Sequence, residues 1–173
     1  MRLTSSLALF TILLLVLSPL RAADFGTRIV MKEKAAATYY VPTRIEGAGE
    51  AELMVDTGSG YVTINEATLR ELKRKGTARY VKQLQGILAN GSELAVPVYA
   101  IAALNIGGNC RLRDVEVAVF PGDTRQILGL SALRKAAPFV FSVDPPSLVL
   151  SHCETSVSLD SQFRAAGPLD AFD

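Results

Sequence analysis

Tryptophan is absent, and histidine occurs once, as His152. Serine–histidine hydrolysis and histidine-rich metal sites therefore have little material here. His152 stands beside Cys153, but two candidate ligands are too few for a structural zinc. It reads as a surface residue, and nothing else in the sequence calls for a metal or a cofactor. An excess of one charge is also missing: 18 Lys and Arg face 17 Asp and Glu, a formal net charge of +1. A nucleic-acid partner, which wants a basic face, is not expected. With 49% hydrophobic and 20% charged residues, wholesale disorder is excluded as well. A chain of 173 residues is long enough for one domain with its own core.

Long apolar runs are confined to the start. Arg2 is followed by an eleven-residue, mostly apolar run from Leu7 to Leu17 that contains one Thr, then by Ser18 and Pro19 and the small residues Ala22 and Ala23. Basic start, short apolar run and small residues form the pattern of a secretory signal over residues 1–22. The alternative is an uncleaved membrane anchor. Leu3 to Leu20 is shorter than the roughly 20 apolar residues a span requires, and it contains Thr, Ser and Pro. Export to the periplasm or to the outside is the expectation, with membrane contact only if the segment stays attached. In an oxidising compartment the two cysteines, Cys110 and Cys153, can pair, bridge two subunits, or remain free thiols.

Residues 24–153 read as one mainly β domain, and residues 154–173, polar and irregular, as a loose tail. Thr38–Ile45 is β-rich and turns at Gly47-Ala48-Gly49, and Glu50–Val55 follows as a second strand. Tyr61–Ile64 is strand-like. Residues 66–75 make the clearest helix, capped by Asn65 or Thr63, buried through Leu69 and Leu72, and stopped at Gly76. Tyr80–Ala89 and Glu93–Ala100 flank Asn90-Gly91, a hairpin signal, with Pro97 marking an edge or a bend. Ile101–Ile106, Val115–Phe120 and Ile127–Leu130 read as further strands. Ser131 caps a brief helix to about Ala136. Phe139–Val143 and Leu148–Ser151 form a last hairpin around Pro145-Pro146. Short strands at close spacing predict a small, closed, all-β fold with one or two short helices.

The chemistry-bearing stretch is Leu53-Met54-Val55-Asp56-Thr57-Gly58-Ser59. A buried strand delivers a carboxylate into a turn. Gly58 lets the backbone bend, and Thr57 and Ser59 add hydroxyls. Taken alone, Asp-Thr-Gly is also an ordinary turn. Further along come Leu88-Ala89-Asn90-Gly91 at the hairpin and Ile127-Leu128-Gly129-Leu130-Ser131 before the brief helix.

This order of motifs resembles the retropepsin-like aspartic proteases, most closely their single-domain bacterial group, over roughly residues 36–151. The resemblance implies a one-lobe acid-protease barrel and an aspartic endopeptidase. Asp56 would be catalytic, with Thr57, Gly58 and Ser59 forming the active-site turn. Leu88, Ala89, Asn90 and Gly91 would sit in a flap over an extended peptide or protein substrate. Ile127, Leu128 and Gly129 would support the turn from behind. Amide hydrolysis by carboxylates needs two of them, and this chain holds one Asp-Thr-Gly. Asp123-Thr124-Arg125 and Asp160-Ser161-Gln162 lack the glycine. The second carboxylate is then expected from another copy, in a homodimer.

Three positions depart from the viral members of that family. Gly60 and Leu130 stand where those carry an aspartate and an arginine, so their interface ion pair is absent here. Ser59 stands where they carry alanine. A hydroxyl donating to the carboxylate there would lower its pKa and favour an acidic optimum. The competing reading is an exported β-domain of the same fold that binds peptides or proteins without turnover.

Overall fold

Alternation of apolar and polar residues sets most of the strands, and the computed structural model, which describes residues 26–87 and 93–154, pairs them. β1 (Thr27–Val30) and β2 (Lys32–Lys34) precede β3 (Thr38–Ile45) and β4 (Gly49–Val55). The turn Asp56–Tyr61 leads to β5 (Val62–Asn65) and α1 (Glu66–Arg74). The hairpin of β6 (Ala78–Ile87) and β7 (Glu93–Ile106) follows, then β8 (Cys110–Phe120), β9 (Ile127–Leu128), α2 (Leu130–Leu133), β10 (Phe139–Ser142) and β11 (Ser147–Leu150).

Eight strands form one sheet in the order β2-β3-β4-β9-β5-β8-β7-β6, and β3 also pairs with β7. That extra pairing links β3, β4, β9, β5, β8 and β7 into a ring in which each strand has a paired neighbour on both sides, through short contacts at β9. The ring is filled by Val41, Leu53, Ile64, Leu104, Val117 and Leu128, all fully buried. A second sheet, β1-β11-β10, packs beside it and adds Ile29, Leu148 and Leu150 to the same core. The chain is the mainly β, one-lobe fold expected from its motifs. Among the described residues no helix is long and apolar enough to cross a membrane.

α1 forms where its caps place it. Asn65 Oδ1 accepts a 2.9 Å bond from the Thr68 amide. Thr63 is buried in β5 and caps nothing. Leu69 and Leu72 face inward, Lys73 and Arg74 meet the carbonyl end, and Gly76 leaves the helix at φ +68°.

Three expectations need correction. Glu93–Ala100 and Ile101–Ile106 are one continuous strand, because β6 pairs along its first part and β8 along its second, with overlap at Val98–Ile101. Pro97 falls where β6 is the sole neighbour, which spares the ladder. The run at 115–120 starts earlier, at Cys110, once the turn at Gly107-Gly108 has reversed the chain. The second helix is four residues long and is preceded by Gly129, not capped by Ser131. Ser131 Oγ is engaged elsewhere. It accepts from the Val62 amide at 2.8 Å and donates to the Glu116 carbonyl at 2.6 Å.

β1 was not anticipated. It pairs with β11, Thr27 opposite Leu150, so the start and the end of the domain meet in one sheet. Cys110 and Cys153 form a disulfide that ties the first residue of β8 to the segment just after β11. Residues 1–25, the hairpin tip at 88–92 and the expected tail beyond Glu154 lie outside the described residues.

Candidate active site

Two strands side by side build the site. β4 runs parallel to β9, with Val55 opposite Leu128, and the Asp56 amide donates to the Leu128 carbonyl at 3.2 Å. Leu128 is fully buried, so the pair is anchored in the core. The chain then turns. Asp56 Oδ1 accepts from the Gly58 amide at 2.8 Å, and the Ser59 amide donates to the Asp56 carbonyl at 3.3 Å. One carboxylate oxygen is thus spent on the turn, and the group sits half-buried at the turn's mouth.

Gly129 explains why the turn can sit so close to β9. A Cβ there would lie 2.1 Å from the Tyr61 carbonyl oxygen and 2.8 Å from that of Ser59. Its own φ is an ordinary −101°, so space, not conformation, demands glycine. The Leu130 amide also donates to the Ser59 carbonyl at 2.8 Å. Gly129→Ala must push backbone against backbone. It is expected to lower stability by roughly 3 kcal/mol, read from the midpoint of urea unfolding. An unchanged midpoint would show that the turn tolerates displacement.

Ser59 corrects an expectation. Its hydroxyl donates to the Tyr61 carbonyl at 2.7 Å instead of to the Asp56 carboxylate. The bond tightens the turn and leaves that hydroxyl no part in lowering the carboxylate's pKa, so it does not favour an acidic optimum. Thr57 and Gly58 are exposed at the tip of the turn.

A cavity of about 410 Å³ opens at Asp56. Gly58, Ser59, Gly60 and Tyr61 form one wall. Leu84, Gln85 and Val96, from the two arms of the β6–β7 hairpin, form another. Ala118 and Phe120 of β8 and Ile127 of β9 complete its apolar side. Of the residues singled out from sequence, Asp56, Gly58, Ser59 and Ile127 meet here, while Leu128 and Gly129 stand behind the turn. Leu88, Ala89, Asn90 and Gly91 lie outside the described residues. Cys110 and Cys153 do not line this cavity. Sequence reading missed Tyr61, Leu84, Val96 and Phe120. The one available signal was alternation along the second hairpin arm, which puts Leu94, Val96 and Val98 on one face.

A family model described as "Aspartyl protease" matches residues 41–132, which hold the Asp56 turn, the hairpin and β9. The chain belongs to the aspartyl protease family. The fold of this aspartyl protease family member is similar to that of a retropepsin-like aspartic protease from Rickettsia conorii, with a TM-score of 0.55 at 17% sequence identity. The alignment covers 71% of this chain and 89% of the other. No curated protein matches the sequence.

Proposed function

We propose that this protein is an exported aspartic endopeptidase that works as a homodimer. The observation that carries the reading is a carboxylate, Asp56, fixed by its own turn at the mouth of an apolar cavity beneath a long β-hairpin. Such a cavity accepts a side chain of an extended peptide, and the hairpin arms flank the peptide backbone.

The chemistry follows from bringing Asp56 and its symmetry mate together. Two carboxylates about 3 Å apart cannot both ionise, so they hold one proton between them. The ionised group takes a proton from a water molecule lying between the pair. The water oxygen attacks the peptide carbonyl while the protonated group donates to the carbonyl oxygen. Collapse of the tetrahedral intermediate breaks the C–N bond, and the amine leaves with a proton returned through the pair. Each protomer supplies one carboxylate, so neither is active alone. Export is supported by the signal-like residues 1–22 and by the disulfide, which persists in oxidising compartments.

The test is the dependence of rate on enzyme concentration. Digestion of a peptide library should identify a cleaved sequence. Its initial rate should then rise with the square of protein concentration at high dilution and become linear above the dimer dissociation constant measured by sedimentation equilibrium. A strictly monomeric protein that cleaves, or one that never cleaves, would overturn the shared-dyad reading.

A further inference from the structure

The hairpin arm β6 contains an irregularity that changes which residues face the site. Tyr80 opposes Tyr99, but Lys82 opposes Val98, so Val81 is an extra residue without a partner. A bulge of this kind re-aims the side chains beyond it. Tyr80 points outward and is 53% exposed. Past the bulge, Lys82 opposes buried Val98, and Leu84 opposes Val96 in the cavity wall. The extra residue therefore brings a lysine onto the same face as the apolar lining.

That lysine is tethered. Lys82 Nζ reaches over β7 to Glu116 Oε2 on β8 at 3.1 Å, and it lies 5.5 Å from the centre of the Tyr61 ring. Hydrogen bonding to Tyr61 and to Glu116 raises its pKa above the ordinary lysine value, so it stays a cation wherever the enzyme works. Glu116 is held in turn, since its carbonyl accepts from Ser131 Oγ. The Tyr61 backbone is fixed by Ser59 Oγ and lies hard against Gly129.

Tyr61 occupies a boundary. With Gly60 it lines the apolar cavity at Asp56 and also a second cavity of about 370 Å³. The second is charged, lined by Arg79, Asp114, Glu116, Arg134 and Lys135 among others. A ring free to swing would join the two spaces. A cation hydrogen-bonded to Tyr61 and tied to Glu116 on β8 holds the ring in place.

We propose that Lys82 is a positioning residue for substrate selection: it holds Tyr61 as the partition between the two cavities, so that the cavity at Asp56 takes an apolar side chain and rejects a charged one. The proposal rests on the endopeptidase reading above. The Lys82–Tyr61–Glu116 contact links the base of the hairpin to the active-site turn, so substrate choice is set at a point that does not touch the cleaved bond.

The test uses the purified protein and a pair of cleaved peptides that differ only in having Leu or Glu beside the scissile bond. Lys82→Met removes the charge and keeps the length, and at this half-buried position the methionine stem packs as the lysine stem does, so the fold should persist. The Leu-over-Glu ratio of kcat/KM is expected to fall about tenfold, mostly through a higher KM for the Leu peptide. Lys82→Arg should restore the ratio. Tyr61→Ala should match Lys82→Met, and the double variant should add nothing further. An unchanged ratio in Lys82→Met, or equal losses on both peptides, would overturn the proposal and leave the endopeptidase reading standing. A wild-type protein that cleaves no peptide would overturn both.

Discussion

Asp56→Asn is expected to lower kcat/KM by roughly 10³- to 10⁴-fold, the share that positioned acid–base groups contribute. The expectation is sharp because the substitution separates chemistry from structure. Asp56 Oδ1 accepts a hydrogen bond from the Gly58 amide. An asparagine side-chain oxygen can accept the same bond, so the turn should survive and the melting temperature should hardly move. What asparagine cannot do is carry the shared proton. In a homodimer one substitution removes both carboxylates. Mixing then gives a second readout. If wild-type and Asp56→Asn subunits exchange freely and only wild-type pairs cleave, equal amounts should yield about a quarter of the starting activity. Fluorogenic peptide turnover at fixed total protein measures this directly. Activity falling only by half would mean that each protomer works alone. Full activity in Asp56→Asn would remove this carboxylate from the chemistry.

The parts of the site legible in the sequence were those encoded by short, contiguous signals. Asp56-Thr57-Gly58 after three apolar residues marked a strand ending in a turn, and β4 ends there at Val55. Ile127-Leu128-Gly129 marked a buried strand ending against something close, and the close object is the backbone of Tyr61 and Ser59. Asn65 and Leu69 fixed the start and face of α1. What stayed hidden depends on contacts between distant residues. β1 is four residues long and acquires its identity from β11. Ser131 looks like a helix cap until β5 and β8 arrive beside it and take both of its hydrogen bonds. Ser59 sits next to the carboxylate in sequence, yet the turn aims its hydroxyl at Tyr61. Lys82 belongs to the site face only because Val81 is extra, and a bulge has no fixed residue pattern in the sequence.

Removing the disulfide is the largest stability change the fold predicts. Cys110 and Cys153 are separated by 43 positions. Cross-linking a loop of that length restricts the unfolded chain by about 4 kcal/mol on the loop-entropy estimate. Cys110→Ala with Cys153→Ala is the better variant, because Cys110 is fully buried and a serine hydroxyl there would add a desolvation cost of its own. For a domain of this size the loss corresponds to a fall in melting temperature of about 10 °C. The effect should centre on the second sheet. Cys153 follows β11 directly, and β11 carries both β1 and β10, so the bridge holds that sheet to β8 of the ring. Reductant supplies the control. Dithiothreitol should bring the wild type down to the melting temperature of the variant and leave the variant unchanged. A wild type indifferent to reductant, with two thiols free to react, would mean that the pair does not close in the folded protein. If the bridge is needed, the protein reaches full stability only where disulfides form, which is where residues 1–22 would send it.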